Sequence, residues 1–432
     1  MADTALAEQA GPITTADGQP LKAALAKAES VAKRRAFFLV LPLFAFVVLT
    51  FVFPIGQLLY RSVHNDAFSM HHDLGTRVDT PIMVNLRNWF DENPAGTEPT
   101  EEAYAALAVD LVHLRELKAP GSVGTRINYD LAGSRSLFTK SARKAKDLEP
   151  PYQAALLGLN EDWADPNLWQ VMRRASSPIT SSFYLAAIDR TRDANGDIER
   201  VKEERRVYVK LFRRTLVLSA LIMVTTLVLG FPIAHLLATL PLRYSNLLMI
   251  FVLLPFWTSL LVRTTSWIVM LQSQGVVNDL LVVSGVLDDA SRVQLIYNKT
   301  GTIIAMTHIL LPFMILPLYS VMRPINPSYV RAARSLGATS WTAFRRVYMP
   351  QTVPGMAAGS LLVFILAVGY YITPALVGGA DGQLISNLIA FHMQKSLNWS
   401  LAAALASLLL GGVLLLYWLF DRLIGIDNLK LG

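Results

Sequence analysis

Cysteine is absent from this sequence of 432 residues. Without thiols the chain forms no disulfide and offers no thiolate for catalysis, for an iron–sulfur cluster or for a cysteine-ligated metal. Charge is also scarce, because Asp, Glu, Lys and Arg together make up 16% of the residues, against about 25% in soluble globular proteins. Hydrophobic residues reach 53%, so the composition indicates a membrane protein.

Short sequence motifs of several enzyme classes are missing as well. No G-x-x-x-x-G-K-[ST] segment occurs, so the chain lacks the phosphate-binding loop of many ATPases. Neither H-E-x-x-H nor a Ser-His-Asp arrangement is recognisable, and the pair His71-His72 has no spaced third ligand for a metal. We therefore predict no catalytic residue, no metal site and no cofactor.

Long apolar runs are what the sequence has in abundance. Six runs are long enough to cross a bilayer as helices, and they lie at 36–59, 215–240, 247–271, 302–322, 355–377 and 401–424. The predicted fold class is therefore an all-α polytopic membrane protein with six transmembrane helices. The predicted domains are a tail at 1–35, the first helix, an insert at 60–206, a five-helix core at 207–425 and a tail at 426–432.

The insert differs from the rest of the chain because charged residues return and aromatic residues are scattered through it. Its length is sufficient to bury a modest core, which favours a folded α+β domain over a linker. Apolar periodicity predicts a helix at 101–118. Composition predicts a strand at 182–189, and Asn195-Gly196 is a strong hairpin signal before a returning strand.

Many basic residues lie directly beside the apolar runs. The basic residues beside them include Lys33, Arg34, Arg35, Arg243, Arg323, Arg331, Arg334, Arg345, Arg346 and Lys430. By the positive-inside rule, both termini and the loop between the fourth and fifth runs are cytoplasmic, and the insert is extracytoplasmic. The net charge of +7 is thus explained by membrane topology, and no nucleic-acid partner is predicted.

The polar loop at 326–350 has clear helix signals. Asn326 is a suitable N-cap, Pro327 fits a first helical position, and Gly337 can take the left-handed conformation that ends the helix. Thr339 or Ser340 can cap a second short helix, which Pro350 is predicted to stop. A helix–Gly–helix element with small residues on its apolar stripe indicates a surface that another protein binds.

The same loop carries a family resemblance. Arg331-Ala332-Ala333, Gly337, Val347 and Met349-Pro350 have the spacing of the "EAA" loop of ABC importer permeases, with Arg331 where that family usually has Glu. The segments FPIAHLLA at 231–238, LLPFWTSLLVRTTSWIVML at 253–271 and ISNLI at 385–389 are similar to spermidine/putrescine-type permeases. The resemblance covers roughly 36–60 and 211–425 and leaves the insert out.

The resemblance implies a type I ABC importer subunit in a bacterial inner membrane. It implies ATPase subunits as partners, with coupling through Arg331, Ala332, Ala333, Leu336, Gly337, Val347 and Pro350. It also implies a second permease subunit, an extracytoplasmic solute-binding protein and a small polar solute, polyamine-like or otherwise organic. Surrounding membrane lipid completes the predicted partners. The chain itself would be a transport subunit rather than an enzyme.

Polar side chains inside the apolar runs are candidates for the translocation path, since such groups usually face a bundle interior. They are Thr258, Arg263, Trp267, Tyr370, Tyr371 and Thr373. Two alternatives remain open at this point. Trp267 and the tyrosines equally fit anchors at the membrane interface, and Arg263 equally fits a side chain that extends to the outer surface.

Two other functions are compatible with the sequence. In a membrane-anchored receptor or scaffold, the 60–206 domain would be the functional part and would bind its ligand alone. A secondary transporter driven by an ion gradient would need carboxylates inside the spans or inverted repeats with broken helices.

Overall fold

A long apolar helix begins the described part of the chain. In the computed structural model, which describes residues 20–72, 78–193 and 196–424, α1 (Leu21–Val47) continues through a π-helical turn (Val48–Val52) into α2 (Phe53–Arg61). The widened turn precedes Pro54, which has no N–H to donate. This helix belongs to the first of two structural units, Met1–Tyr60 and Arg61–Gly432.

The helix of the first unit confirms an apolar span and begins inside the predicted N-terminal tail. The stretch that is long and apolar enough to cross a membrane is Leu25–Arg61, whereas the sequence placed it at 36–59. Residues 1–19 of the predicted tail lie outside the described residues, as does the predicted C-terminal tail at 426–432.

The insert is mainly helical, with two small antiparallel hairpins. Its strands are β1 (Met70–His72), β2 (Asp79–Pro81), β3 (Arg190–Arg192) and β4 (Ile198–Arg200). Its helices are α3 (Val84–Glu92), α4 (Glu101–Glu116), α5 (Pro120–Asp130), α6 (Ser134–Lys144), α7 (Tyr152–Leu159), α8 (Pro166–Ser176) and α9 (Ser182–Ala187). Short 3-10 turns lie at Ala145–Asp147, Glu161–Ala164 and Glu203–Arg205.

An apolar core, to which α3 to α8 contribute, holds most of the insert together. Trp163 is fully buried and donates from Nε1 to Ser141 Oγ over 2.9 Å, while its ring meets Phe138 edge to face. Tyr104 packs against Trp169 and donates its hydroxyl to the carbonyl of Trp163. These aromatic residues form a buried core within the insert, and α4 confirms the predicted helix at 101–118.

The predicted strand at 182–189 is wrong, because residues 182–187 form α9 and residues 188–189 form a turn. The Thr180 hydroxyl accepts a hydrogen bond from the N–H of Ser182 at the start of this helix. A helix also brings Phe183 and Ala187, four residues apart, to one face, where both are buried. The predicted hairpin is present: β3 and β4 pair on either side of the turn, of which residues 194–195 lie outside the described part.

The remaining chain is a set of apolar helices with short connections. They are α10 (Tyr208–Thr239), α11 (Leu242–Leu253), α12 (Leu260–Leu271), α13 (Val276–Val283), α14 (Lys299–Met322), α15 (Ser328–Ser335), α16 (Ser340–Ala343), α17 (Met349–Gly369), α18 (Ile372–Val377), α19 (Gly379–Gly382), α20 (Ile385–Gln394) and α21 (Trp399–Ile424). Two 3-10 turns, Leu254–Trp257 and Asp289–Ser291, and one π-helical turn, Phe344–Tyr348, connect them.

Helix α14 lies at the centre of this helical core. Met314 on α14 is fully buried, and glycines on the flanking helices allow the close approach. A Cβ built on Gly230 of α10 would lie 3.0 Å from Met314 Cγ, and one on Gly359 of α17 would lie 2.8 Å from its sulfur. Larger residues at these two positions would push α10 and α17 away from α14.

Two predicted spans, the third and the fifth, are interrupted in the structure. Within the third predicted span, at 247–271, helix α11 ends and helix α12 begins. The helix is interrupted because Pro255 lacks an N–H. The Ser259 hydroxyl then caps the start of α12 by accepting from the Val262 N–H over 3.2 Å. The apolar stretch long enough to cross a membrane is Leu260–Val283 instead. The fifth ends at Gly369, eight residues before the predicted boundary of 377.

Candidate functional site

The 326–350 loop forms its first short helix as the sequence predicts. Asn326 Oδ1 accepts from the Ser328 N–H over 2.9 Å, and Gly337 has a φ of 90°. The N–H of Gly337 donates to the Arg334 carbonyl and that of Ala338 to the Ala333 carbonyl. These two bonds are the pair by which a left-handed residue closes a helix end.

The second helix of the loop does not stop at Pro350. Thr339 Oγ1 accepts from the Thr342 N–H over 3.2 Å and starts α16, which passes through the π-helical turn into α17. The wider turn accommodates Pro350, whose nitrogen has no proton to donate. The loop is therefore continuous with an apolar span, so a displacement of the loop reaches that span directly.

The outer side of the loop is an exposed surface with apolar side chains. Leu336 is 89% exposed and Trp341 is 68% exposed. Arg331, Ala332, Gly337 and Pro350 are exposed as well, whereas Ala333 and Val347 are half-buried. The Arg331 guanidinium makes no hydrogen bond or ion pair with any residue that the structure describes. Six of the seven predicted coupling residues thus lie within 331–347 on or beside one accessible surface, and Pro350 follows on α17.

The inner side of the loop is an aromatic stack, which the sequence reasoning missed. The rings of Trp341, Phe344 and Tyr348 follow one another with centroids 5.8 and 5.7 Å apart. His235 of α10 packs edge to face on Tyr348 at 5.0 Å and on Phe344 at 5.8 Å. The recurrence of aromatic residues at 341, 344 and 348, on one helical face, was the available signal.

Some of the predicted path residues are brought together between α12, α14 and α18. Trp267 Nε1 donates to His308 Nδ1 over 3.1 Å, and the hydroxyls of Thr264 and Thr373 are 3.3 Å apart. Arg263 lies near His308, and its Nε is buried without a hydrogen-bond partner among the described residues.

Tyr370 belongs to this polar cluster, but Thr258 and Tyr371 lie apart from it. Tyr370 lies near Arg263, and its carbonyl accepts from Ser386 Oγ over 2.6 Å. Thr258 is exposed and donates to the Pro255 carbonyl, and Tyr371 is 40% exposed. His308 was missed by the sequence reasoning, although a histidine within an apolar run is itself a signal of function.

A cavity of about 310 Å³ adjoins this cluster. Its walls come from α10, α11 and α14 and are almost entirely apolar; among the described residues that line it, His308 is the ionisable one. An apolar cavity with a single convergent polar group can hold part of a small organic molecule.

Comparison with known proteins identifies relatives of the helical core. A family described as "binding-protein-dependent transport system inner membrane component" matches residues 210–424 and thus leaves the insert out. The spermidine/putrescine transport system permease protein PotB of Salmonella typhimurium is 35% identical over 221 residues, which are 50% of this chain and 76% of the relative. The Escherichia coli protein of that name is also 35% identical, with 80% of its length covered.

More distant similarities are of the same kind. The sulfate transport system permease protein CysT of Escherichia coli is 29% identical over 133 residues, which are 30% of this chain and 48% of that protein. A solved bacterial ABC transporter involved in the import of alginate aligns with a TM-score of 0.42 and 20% identity, over 50% of this chain and 79% of that one.

Proposed function

Since this chain belongs to the family of binding-protein-dependent transport system inner membrane components, we propose that it moves a small polar solute inward at the expense of ATP hydrolysed elsewhere. As a member of that family, it is a multi-pass inner-membrane permease subunit of an ABC importer and a transport subunit. The solute class follows the relatives named for spermidine and putrescine. A polyamine-like or other small organic solute is therefore the first candidate.

The proposed coupling surface is the exposed side of the 326–350 loop. Leu336 and Trp341 present apolar area to solvent, and such area in a loop supports docking of a partner. The partner is a separate ATPase subunit that receives the α15 helix in a cleft. Arg331 offers it a positive charge where the family usually has Glu, so a complementary acid is expected on that ATPase.

The aromatic stack beneath the loop is the proposed route of coupling. A movement of α15 and α16 displaces Phe344 and Tyr348, which contact His235 on α10. Helix α17 continues from the same turn. Both helices flank α14 and the polar cluster around His308, so loop movement and access to that cluster can change together.

The proposed assembly contains two permease subunits, like or unlike, two ATPase subunits and an extracytoplasmic solute-binding protein. Both termini and the 326–350 loop are cytoplasmic in this proposal, because basic residues cluster beside those segments. The 60–206 insert is then periplasmic and adjoins the binding protein. The proposed path includes Arg263, Trp267, Tyr370 and Thr373, with His308 added.

Co-purification with candidate ATPase subunits tests the proposed coupling. Gly337→Asp forces a side chain onto a backbone with φ of 90° where no neighbouring atom lies within 4 Å of the new Cβ, so the strain falls on the loop itself. We expect it to reduce ATPase binding and ATP-dependent uptake.

Gly285→Asp is the matched control, since Gly285 has a φ of 72°, equally open surroundings and a position outside the loop. It should leave both ATPase binding and uptake intact. Equal effects of the two substitutions, or an intact chain that retains no ATPase, would refute the coupling role of this loop.

A further inference from the structure

A second, larger cavity lies between the insert and the ends of the apolar helices. It has a volume of about 730 Å³, which suits a small molecule. One wall belongs to the insert, from α5, α8, α9 and the β3–β4 hairpin. The other wall includes Tyr208 of α10, His392 of α20 and Leu401 of α21. None of the residues proposed for coupling or for the path lines it.

The lining of this cavity is strongly basic. Its basic side chains are Arg174, Arg190, Arg192, Arg200, Lys202 and Arg205. Its acidic side chains are Asp130, Asp189 and Glu199. The excess is larger than this count suggests, because two of the acids are already neutralised by neighbours.

Asp130 and Asp189 are committed to structural contacts. Asp130 Oδ2 accepts from Arg126 Nη1 over 2.8 Å, and Arg126 is 2% exposed. The Asp189 carboxylate accepts three backbone N–H groups, those of Val207, Tyr208 and Val209, at 2.8 to 3.1 Å. These N–H groups start α10, so this charge compensates a helix end. Among the described residues that line the cavity, Glu199 is the acid without such a structural contact, against six basic side chains.

Two of the arginines face each other across the hairpin. Arg190 of β3 and Arg200 of β4 are directly opposite in the strand pairing, which places their Cβ atoms about 5 Å apart on one face. Like charges at such a position destabilise a strand pair unless an anion lies between them. Neither guanidinium makes a hydrogen bond or ion pair with another described residue, and both line the cavity.

Arg174 and Arg192 add to the positive charge of the cavity lining. Arg174 donates to the Asp193 carbonyl over 3.0 Å and Arg192 to the Gly196 carbonyl over 2.9 Å, so both guanidinium groups are fixed by uncharged acceptors. Burial is the main cause that lowers the pKa of Arg174; the charges of Arg192 and Arg126 act in the same direction, and those of Asp130 and Asp193 oppose it. The hairpin thus concentrates positive charge that the nearby acids Glu199, Asp130 and Asp193 offset only in part.

We propose that this cavity binds a small anionic ligand through its carboxylate or phosphate groups, held between Arg190 and Arg200 and bridging the insert to the apolar helices. Guanidinium groups bind such oxyanions by charge-assisted hydrogen bonds. The site repels polyamine cations, so it is distinct from any site for a polyamine-like solute. The anion is either a soluble small molecule or the headgroup of an anionic phospholipid.

Calorimetric titration of the full chain in neutral detergent tests the soluble source, with citrate and inorganic phosphate as probes and spermidine as the cationic comparison. We expect citrate or phosphate to bind and spermidine not to compete. Arg190→Gln with Arg200→Gln should weaken binding at least about tenfold, the effect of losing a charge-assisted hydrogen bond. Lys140→Gln with Lys144→Gln, on the exposed side of α6, should leave it unchanged.

Thermal unfolding in phosphatidylcholine nanodiscs with and without phosphatidylglycerol tests the lipid source. Stabilisation by phosphatidylglycerol that is lost in the double arginine variant identifies a headgroup as the ligand. Removing the opposed charges should not lower the unfolding temperature without anions, which separates lost binding from misfolding. The proposal is overturned if neither citrate nor phosphate binds and phosphatidylglycerol has no effect. It is also overturned if the double arginine variant binds these anions as the wild type does, or if spermidine binds in place of the anions.

Discussion

Among single residues, His72 most directly couples protonation to local structure. Its Nδ1 lies 2.7 Å from Asp79 Oδ1 and its Nε2 lies 2.9 Å from Asp66 Oδ2. These carboxylates, Asp79 foremost, raise the pKa of His72 above the usual 6.5, although partial burial opposes them. Only the doubly protonated ring can donate to both carboxylates at once.

The pairing of β1 with β2 should therefore depend on pH. A raised pKa in the folded state means that the contribution of His72 is fully present below its unfolded pKa and is lost as the pH rises through its folded pKa. Hydrogen exchange of the β1 and β2 amides, corrected for intrinsic rates, should speed up between about pH 6 and pH 8.

Substitution of the two carboxylates separates their contributions. Asp79→Asn should lower the pKa of His72 in an NMR titration more than Asp66→Asn does, because the Asp79 hydrogen bond is the largest cause of the shift. A His72 pKa at or below 6.5 in the wild type would contradict the two-carboxylate arrangement.

Among the elements, the π-helical turn Phe344–Tyr348 joins the exposed loop to the apolar helices. Tyr348 is 7% exposed, and its ring contacts both Phe344 and His235. Tyr348→Ala should leave the exposed side of the loop free to bind an ATPase while it interrupts the stack. We expect uptake per assembled complex to fall, together with a loss of about 3 kcal/mol of stability.

Tyr348→Phe is the matched control for this prediction. The Tyr348 hydroxyl is buried and has no hydrogen-bond partner among the described residues, so its removal keeps the stack and relieves an unsatisfied polar group. Uptake should match that of the wild type. If Tyr348→Phe reduces uptake as much as Tyr348→Ala, the hydroxyl rather than the ring stack is what matters.

The sequence was a good guide to elements whose signals are local. Asn326 and Gly337 delimit α15 as their backbone preferences predict, and the long apolar runs predict most spans. The prediction that Pro350 ends the second helix of the loop is wrong, because the π-helical turn accommodates this proline and the helix continues. The hydrogen bond between Trp267 and His308 could not be predicted, because the two residues are 41 positions apart in the sequence. Their contact depends on how α12 packs against α14.

In the molecule as a whole, the insert is attached to the apolar helices by specific contacts. Tyr184 Oη lies 2.7 Å from Ser407 Oγ of α21 and 2.8 Å from Ser62 Oγ. Phe183 and Ala187 belong to a buried cluster that includes Leu401 and Leu405 of the same helix. With Asp189 capping α10, the insert is continuous with the core rather than a tethered module. A receptor-like domain that acts alone is therefore the less favoured alternative.

The cysteine-free sequence allows a direct test of this attachment. Ala187 is fully buried against α21, whereas the adjacent Ile188 is 42% exposed. In the intact membrane protein, a thiol-reactive probe added from outside should label Ile188→Cys rapidly and Ala187→Cys slowly, because a buried thiol reacts only when the contact opens. Denaturant should make the two rates equal. Fast labelling of both variants in the native protein would mean that the insert separates freely from the helices, and the bridging role proposed for the anion would then lose its structural basis.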